Sequence, residues 1–207
     1  MRTRAALPLF VAVACLVGSA HAQPSEPTSL PIALTVAELE GEAVITPAWI
    51  DEQVENANTI FHDHGAAFTI VDRATMGEEH ARMEDRGDRH QLGHLLHRQR
   101  IDVFVVASLR DVDDPSRYRQ GVHWRPRGEE YTPGSHFVII SRIAGPTVLA
   151  HELGHYFGNP HSDTPGNIMS YERGDVPPFF DAVQSRRIGF SMRRMLRRGE
   201  LVTAPAL

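Results

Sequence analysis

The chain has 207 residues, which is enough for one domain with at most a small appendage. Its 21 basic residues are all arginine and its acidic residues number 26, which gives a formal net charge of −5. This mild acidic balance argues against a protein that binds nucleic acid through bulk electrostatics. The single cysteine, Cys15, excludes an intrachain disulfide scaffold and a cysteine-rich metal site. A hydrophobic content of 42% is typical of a chain that buries a core.

The first 22 residues have the three-part layout of a secretory signal peptide. Two arginines precede an apolar run at 5–17, which is too short to span a bilayer comfortably, and small residues follow up to Ala22. We expect cleavage after Ala22 and export to the periplasm or the extracellular medium, with no transmembrane segment. An alternative in which Cys15 becomes a lipid-anchored N-terminus is less favoured, because the residues before it suit that processing poorly.

The exported part begins with 23–31, which carries three prolines and is predicted to be an extended lead-in to a domain at 32–207. The apolar segment 32–37 suits a strand. A helix begins at Pro47, behind a threonine that can cap it, and ends near Gly65. A second strand is predicted over 67–71.

The middle of the chain contains one more predicted helix and three more predicted strands. The helix is expected over about 88–99, followed by a strongly apolar and therefore central strand at 101–107. The polar segment 108–135 is predicted to be a long loop region, interrupted by a short edge strand at 121–125. A further strand is expected at 136–141.

Two helices are predicted near the C-terminus. The first begins at Gly145-Pro146 and ends at Gly158, and an irregular segment with four prolines, 159–180, follows it. The last helix covers about Asp181 to Arg198, with a glycine behind it. Strands with intervening helices indicate a mixed α/β or α+β layer without a domain linker.

The first of these helices carries His151, Glu152 and His155, in the pattern H-E-x-x-H. Four helical residues turn the chain by about 400°, so the two histidines project side by side from one face. Two imidazoles placed in this way can reach one zinc ion at roughly 2.0–2.1 Å each. The carboxylate between them can point to the metal-bound water instead of the metal.

A third histidine can return to the same ion. Gly158 accepts the left-handed conformation that ends a helix, and Pro160 prevents the helix from continuing. The chain can then turn back and present His161 as a third ligand. Three protein ligands leave a fourth position for water, which is typical of a catalytic zinc site.

The segment 151–161, HELGHYFGNPH, resembles the extended zinc signature H-E-x-x-H-x-x-G-x-x-H of the metzincin metalloproteases. The segment 167–171, NIMSY, is similar to the Met-turn of that family. The resemblance implies an α+β catalytic domain with a twisted mixed sheet of about five strands. An antiparallel edge strand, the zinc-binding helix and a C-terminal helix complete that fold. The subfamily stays open between matrixin-like, serralysin-like and pappalysin-like members.

The resemblance also implies roles for single residues. Glu152 would be the general base, and His151, His155 and His161 would bind one zinc ion. Met169 would form a hydrophobic floor beneath the imidazoles. Tyr171 matches a tyrosine that lies near the metal in astacin-like and serralysin-like members and can hydrogen-bond the oxyanion. The edge strand at 121–125 would hold an extended peptide or protein substrate by main-chain pairing.

The sequence therefore predicts a secreted zinc endopeptidase in which a zinc-activated water attacks the peptide bond and Glu152 accepts its proton. One alternative is a catalytically silent zinc-stabilised binding or adhesion module on the same scaffold. Another keeps the chemistry but replaces His161 by Glu172 as third ligand, as in gluzincins. The oligomeric state is not indicated by the sequence.

Two further groups of residues resemble metal sites more weakly. His90, His94 and His97 form one stripe of the helix predicted over 88–99, with leucines opposite, so a solvated face is preferred to a second metal site. The aspartates of 111–114 resemble a fragment of a calcium loop without its glycine and closing glutamate. A solvated acidic loop is the better interpretation, and a calcium ion has no further support.

Three other residues leave more than one interpretation open. His123 and His136 lie on proposed strands, where a structural role is favoured over a place at the cleft. Asp163 follows the third histidine closely and is either a hydrogen-bond partner of a zinc ligand or a plain loop residue.

Overall fold

A computed structural model describes residues 26–132 and 134–205. The predicted signal peptide 1–22, Cys15 and the start of the lead-in lie outside these residues. Within the described ranges, no helix is both long and apolar enough to cross a membrane.

The described chain contains eight strands and four α-helices. The strands are β1 (Thr28–Leu39), β2 (Glu42–Ala43), β3 (Ala66–Met76), β4 (Arg82–Met83), β5 (Ile101–Val106), β6 (Ser108–Leu109), β7 (Gly121–Trp124) and β8 (Phe137–Ser141). The helices are α1 (Pro47–Phe61), α2 (Arg86–Gln91), α3 (Val148–Tyr156) and α4 (Ala182–Arg198). The three two-residue strands are too short to leave a periodic pattern in the sequence, and sequence analysis did not predict them.

A six-stranded mixed sheet forms the centre of the molecule. Strands β3, β1, β5 and β8 pair in parallel, while β2 pairs antiparallel with the end of β1. Strand β7 pairs antiparallel with β8 and lies at the edge. The expected α+β fold with a mixed sheet and an antiparallel edge strand is therefore confirmed. Strands β4 and β6 form a separate parallel pair.

Strand β1 begins at Thr28, within the segment predicted as a lead-in. Pro31 belongs to the strand and lies opposite Thr69 of β3. On the other side of β1, pairing with β5 starts only at Ile32. Proline has no N–H to donate to a ladder, and it fits here because the strand has a partner on one side alone.

The predicted bounds of the helix over 88–99 are wrong. Helix α2 begins earlier, where the side chains of Asp85 and Asp88 form a capping box, and ends at Gln91. A single-turn 3₁₀ segment, Leu92–Leu95, follows it. His97 then turns to the buried Asp102 of β5, with its Nδ1 2.8 Å from the carboxylate. The predicted histidine stripe does not form, because its members no longer share one helix.

The sheet separates two hydrophobic clusters. Alternate residues of β5 point to opposite faces, as expected for a central strand. Val103 and Val105 pack with α1, α3 and α4, whereas Phe104 and Val106 pack with the opposite cluster around Leu92. All six residues of β5 are buried. The larger cluster packs α3 against the sheet and includes residues of α1 and α4.

A buried side chain of α1 holds the start of α3. Sequence analysis placed that start at Gly145, but the helix begins at Val148, and the side chain of its N-cap residue, Thr147, makes no capping hydrogen bond to the helix. Instead, Gln53 accepts a hydrogen bond from the Leu149 N–H at 3.2 Å and donates to the Gly145 carbonyl at 2.9 Å. This amide therefore satisfies a helix N-terminus that has no cap of its own.

We expect Gln53→Ala to lower the free energy of unfolding by about 1–3 kcal/mol, because it leaves the buried Leu149 N–H without a partner. The measurement is urea unfolding followed by circular dichroism. The matched control is Glu52→Ala, an exposed neighbour on the same helix, for which a change within about 0.5 kcal/mol is expected. Equal effects of the two variants would contradict the capping role of Gln53.

Candidate metal centre

Helix α3 carries His151, Glu152 and His155, as the sequence predicts. Beyond the helix, Gly158 adopts the left-handed conformation with φ of 92°. The following N–H, of Asn159, donates to the Gly154 carbonyl at 3.0 Å, which closes the turn. The chain reverses at this glycine and returns to the helix, as the sequence analysis expected.

The three histidines converge on one point. The Nε2 atom of His155 lies 3.1 Å from the Nε2 atoms of both His151 and His161. One ligand atom from each residue falls within 4.8 Å of the others. Tetrahedral zinc with bonds of about 2.0–2.1 Å places neighbouring ligand nitrogens roughly 3.3 Å apart. The spacing of the imidazoles fits a single zinc ion.

Main-chain carbonyls fix the tautomers of two of these histidines. The Nδ1–H of His151 donates to the Ile168 carbonyl, and that of His155 to the Asn159 carbonyl, each at 2.7 Å. With the proton on Nδ1, each Nε2 presents a lone pair. Two lone pairs that face each other at 3.1 Å cannot form a hydrogen bond, so the arrangement calls for a shared cation.

The charge state of the histidines suits metal binding as well. Burial lowers the pKa of His155 to about 4, and the nearby His151 adds to that effect. Burial also lowers the pKa of His151 and of His161. Neutral imidazole is the form that binds metal ions, so the ligands need not release protons at neutral pH.

Glu152 lies between α3 and the edge strand β7. Its side chain is buried, with 5% exposure, and its carboxylate lies close to the His123 backbone N–H. A Cβ atom at Gly121 would lie 2.9 Å from the Glu152 Oε1 atom, so only glycine permits this approach. Burial raises the pKa of Glu152 to about 8. The carboxylate is thus held at the cleft wall, next to the first ligand.

The predicted Met-turn is buried beneath α3. Met169 is fully buried, and its sulfur occupies the space that a Cβ atom at Gly154 would need. The side chains of Asn167 and Gln184 hydrogen-bond each other at 2.8 Å and 3.1 Å. Gln184 belongs to the capping box of α4, so the helix start anchors the turn that presents the Ile168 carbonyl to the first ligand. The role of Met169 as a floor beneath the imidazoles stays a prediction.

Tyr171 lies at the mouth of the site. Its side chain is 68% exposed, and its ring centre is 4.6 Å from that of His161 and 6.0 Å from that of His151. The guanidinium of Arg119 lies close to the Tyr171 hydroxyl and forms an ion pair with Asp111 at 2.7 Å. The tyrosine therefore lies beside the metal site and close to a residue that sequence analysis did not single out.

Three other predicted candidates lie outside the metal centre. Asp163 was considered as a hydrogen-bond partner of a zinc ligand, but it is exposed. Main-chain carbonyls accept the hydrogen bonds from His151 and His155 instead. Glu172 does not belong to the group of converging ligand atoms, which His161 completes among the described residues. Asp111 accepts hydrogen bonds from two N–H groups of its own loop and pairs with Arg119, which satisfies its carboxylate without calcium.

His123 and His136 form a half-buried pair next to Tyr156 of α3. The Nε2 atom of His123 lies 2.8 Å from Nδ1 of His136, whose ring stacks on Tyr156 with centres 3.9 Å apart. Burial lowers the pKa of His123 to about 2 and that of His136 to about 3, so both are neutral. His123 also lines the cleft that holds the three zinc-ligand candidates, so it borders the site, and the structural role favoured from the sequence stays a prediction.

The partners that sequence reasoning missed are mostly main-chain groups. The carbonyls of Ile168 and Asn159 orient two ligands, and carbonyls carry no signal in the residue types. Arg119 is one of 21 arginines, and it does not stand at a distinctive spacing from the other site residues in the sequence. Of the features around these carbonyls, only the turn after α3 had a signal in the sequence, through Gly158 and Pro160.

Comparisons with known proteins rest on structure alone. No protein family model matches the chain, and no curated protein sequence matches it. Mature mirolysin from Tannerella forsythia, solved in complex with a cleaved peptide, superposes with a TM-score of 0.62 at 15% identity, covering 88% of this chain and all of that one. Archaemetzincin from Methanopyrus kandleri gives 0.53 at 13% identity, covering 80% and 97%.

Metalloproteinase-II from Bacteroides fragilis is also similar, with a TM-score of 0.53 and 18% identity over 81% of this chain. The match covers 55% of that protein, so the present chain spans about half of its length. The structural similarity establishes the fold, whereas identities this low leave the subfamily open. The chain has the metzincin-like fold of these metalloproteinases.

Proposed function

We propose that the chain is an exported, zinc-dependent endopeptidase. The observation that carries this proposal is the convergence of His151, His155 and His161 next to the buried Glu152. A purely structural zinc site is usually closed by four protein ligands. Here three protein ligands and a carboxylate face a cleft of about 850 Å³, which suits catalysis.

The donor set fits zinc. His151, His155 and His161 would hold the ion through Nε2, because the Nδ1 protons of the first two are already donated to carbonyls. When bound, zinc lowers the pKa of a water molecule toward about 7 and polarises the scissile carbonyl. One ion per chain is proposed, and nothing in the described residues supports calcium.

The protein residues move the proton and orient the substrate. With zinc bound, the nearby positive charge would lower the pKa of Glu152, so its carboxylate would accept a proton from the attacking water and later deliver it to the leaving amine. Its fixed position against Gly121 and the His123 N–H keeps it oriented before substrate arrives. The hydroxyl of Tyr171, close to Arg119, would donate a hydrogen bond to the developing oxyanion.

The edge strand provides the means to bind a peptide. Strand β7 pairs with β8 on one side, and its other side lines the same cleft as the three histidines. An extended peptide can add to such an edge by main-chain hydrogen bonds. Mirolysin, which shares the fold, has been solved with a cleaved peptide, and this supports a peptide or protein substrate for the present chain.

Zinc binding depends on the third histidine in this proposal. We expect the protein to bind one zinc ion per chain and His161→Ala to weaken that binding by more than roughly 100-fold, since it removes a direct ligand. Competition with a colorimetric chelator measures both values. His94→Ala, an exposed histidine outside the cluster, is the matched control and should leave the affinity unchanged. Full zinc affinity in His161→Ala would contradict the ligand assignment.

Turnover depends on the buried carboxylate. We expect Glu152→Gln to keep zinc and to lower kcat for protein digestion by about 10²- to 10⁴-fold, because the general base is lost. Glu172→Gln is the matched control, since this exposed glutamate lies outside the ligand cluster, and it should stay within twofold of wild type.

Digestion by the wild-type protein with and without a chelator distinguishes an enzyme from a zinc-stabilised binding module. A module would retain zinc but show no chelator-sensitive digestion in the wild-type protein. Wild-type activity that persists unchanged in Glu152→Gln would refute the mechanism.

Export is proposed from the first 22 residues alone. We expect the protein recovered from its native host to begin at Gln23, because the small residues before it form a cleavage site. Intact mass spectrometry and N-terminal sequencing of that protein measure this directly. An uncleaved chain, or a lipid attached to Cys15, would contradict the proposal.

A further inference from the structure

The cleft that holds the three histidines has a charge opposite to that of the whole chain. The formal net charge of the chain is −5, yet the cleft is lined by six arginines and three carboxylates. The arginines are Arg86, Arg89, Arg117, Arg119, Arg125 and Arg173. A cleft lined by one sign of charge concentrates ligands of the opposite sign.

The carboxylates of the cleft neutralise only two of these arginines. Asp113 pairs with Arg86 at 2.6 Å and Asp111 pairs with Arg119 at 2.7 Å. The third carboxylate, Glu152, is buried against the edge strand. Within residues 26–132 and 134–205, the arginines in ion pairs are Arg73, Arg82, Arg86, Arg100, Arg110, Arg119 and Arg198. Arg117, Arg125 and Arg173 are exposed cleft residues outside this set.

Arg173 lies next to the histidines. Its Nη1 atom donates to the Thr147 hydroxyl at 3.1 Å, and the Thr147 carbonyl accepts the His151 N–H at 3.0 Å. The guanidinium is therefore about one helical turn from the first ligand.

The position of Arg173 is electrostatically unusual. It lies at the N-terminus of α3, which carries the positive end of the helix dipole, and the first turn of α3 contains no acidic residue. A cation at this end is unfavourable, and an anion bound there would interact with the guanidinium and the dipole together. The local field therefore favours an anionic group beside the metal centre.

A second arginine of the same cleft is buried without a full set of partners. Arg89 is 2% exposed, and its Nε atom has no hydrogen-bond partner among the described residues. Its guanidinium lies 4.8 Å from the ring centre of Trp124, at the end of β7. Burial lowers the pKa of Arg89 to about 10, so it stays charged at neutral pH. The positive field thus extends along the edge strand as well as beside the histidines.

We propose that the cleft selects carboxylate-bearing peptides and that Arg173 is the residue that contacts the carboxylate beside the metal centre. The inference rests on the proposed peptidase function and names the substrate class of that site. A peptide is favoured over other anions because β7 offers main-chain pairing in the same cleft. The carboxylate comes from an aspartate or glutamate side chain or from a free C-terminus.

A set of four peptides of one sequence separates these sources. The first carries glutamate on either side of a cleavable bond and an amidated C-terminus. In the second, glutamine replaces glutamate, and in the third lysine replaces it. The fourth has glutamine and a free C-terminal carboxylate close to the bond. We expect kcat/KM for the first or the fourth peptide to exceed that for the second by about tenfold or more, as for a charge-assisted contact.

Ionic strength provides an independent readout. The preference should decrease between about 20 mM and 500 mM salt, because screening weakens attraction between exposed charges. Equal kcat/KM values for the carboxylate, amide and lysine peptides at low salt would overturn the proposal. A preference that arises from shape alone would not depend on salt, and this result would overturn it as well.

Variants assign the preference to Arg173. Arg173→Gln should reduce it to threefold or less, and Arg173→Glu should reverse it in favour of the lysine peptide. Arg197→Gln, an exposed arginine of α4 outside the cleft, is the matched control and should keep the full preference. A preference that survives in both Arg173 variants would overturn the assignment to this residue.

Binding measurements keep this proposal separate from the proposed activity. If no peptide is cleaved, the endopeptidase function fails, but fluorescence anisotropy with the same peptides still tests the cleft. Tighter binding of a carboxylate peptide to wild type than to Arg173→Gln would support the proposal. Equal binding of all four peptides would overturn it.

Discussion

The metal centre depends on two hydrogen bonds from histidine to main chain. By donating their Nδ1 protons to the carbonyls of Ile168 and Asn159, His151 and His155 direct both Nε2 lone pairs to one point. Each carbonyl belongs to a segment that the rest of the fold must hold in place. Gly158, with its positive φ, positions the second carbonyl, and the Met-turn positions the first.

The surrounding elements can be understood as supports for these two carbonyls and for α3. The capping box of α4 hydrogen-bonds Asn167, which precedes the Ile168 carbonyl in the turn. Gln53 of α1 holds the other end of α3. Because α3 packs on the apolar face of a sheet whose central strand is fully buried, its histidines have little freedom to move. Such pre-organisation is what a metal site requires of its ligands.

Charge adds a second level of organisation. An acidic chain presents a cleft rich in arginines, of which Arg119 and Arg173 lie beside the histidines and Arg89 at the end of the edge strand. Arg119 is neutralised by Asp111 and lies close to Tyr171, whereas Arg173 is free of acidic partners among the described residues. Arg119 thus lies against a side chain of the site, while Arg173 is available to a ligand. The same arginine-rich cleft therefore connects the geometry of the centre with the proposed choice of substrate.

The sequence by itself was enough to single out the three histidines and Glu152 and to predict the turn at Gly158. It also located the long helices and the main strands along the chain. These features follow from local rules: helical periodicity, glycine conformation, capping residues and apolar runs. Tertiary structure decided the features that join distant segments. The early end of α2, the strand around Pro31 and the carbonyls behind the ligands all depend on which segments meet in space. The same holds for the ion pair of Arg119 with Asp111 and for the hydrogen bond of Arg173 to Thr147. Local sequence carries no record of such contacts, because a carbonyl is the same in every residue and an arginine acquires its role only from its neighbours.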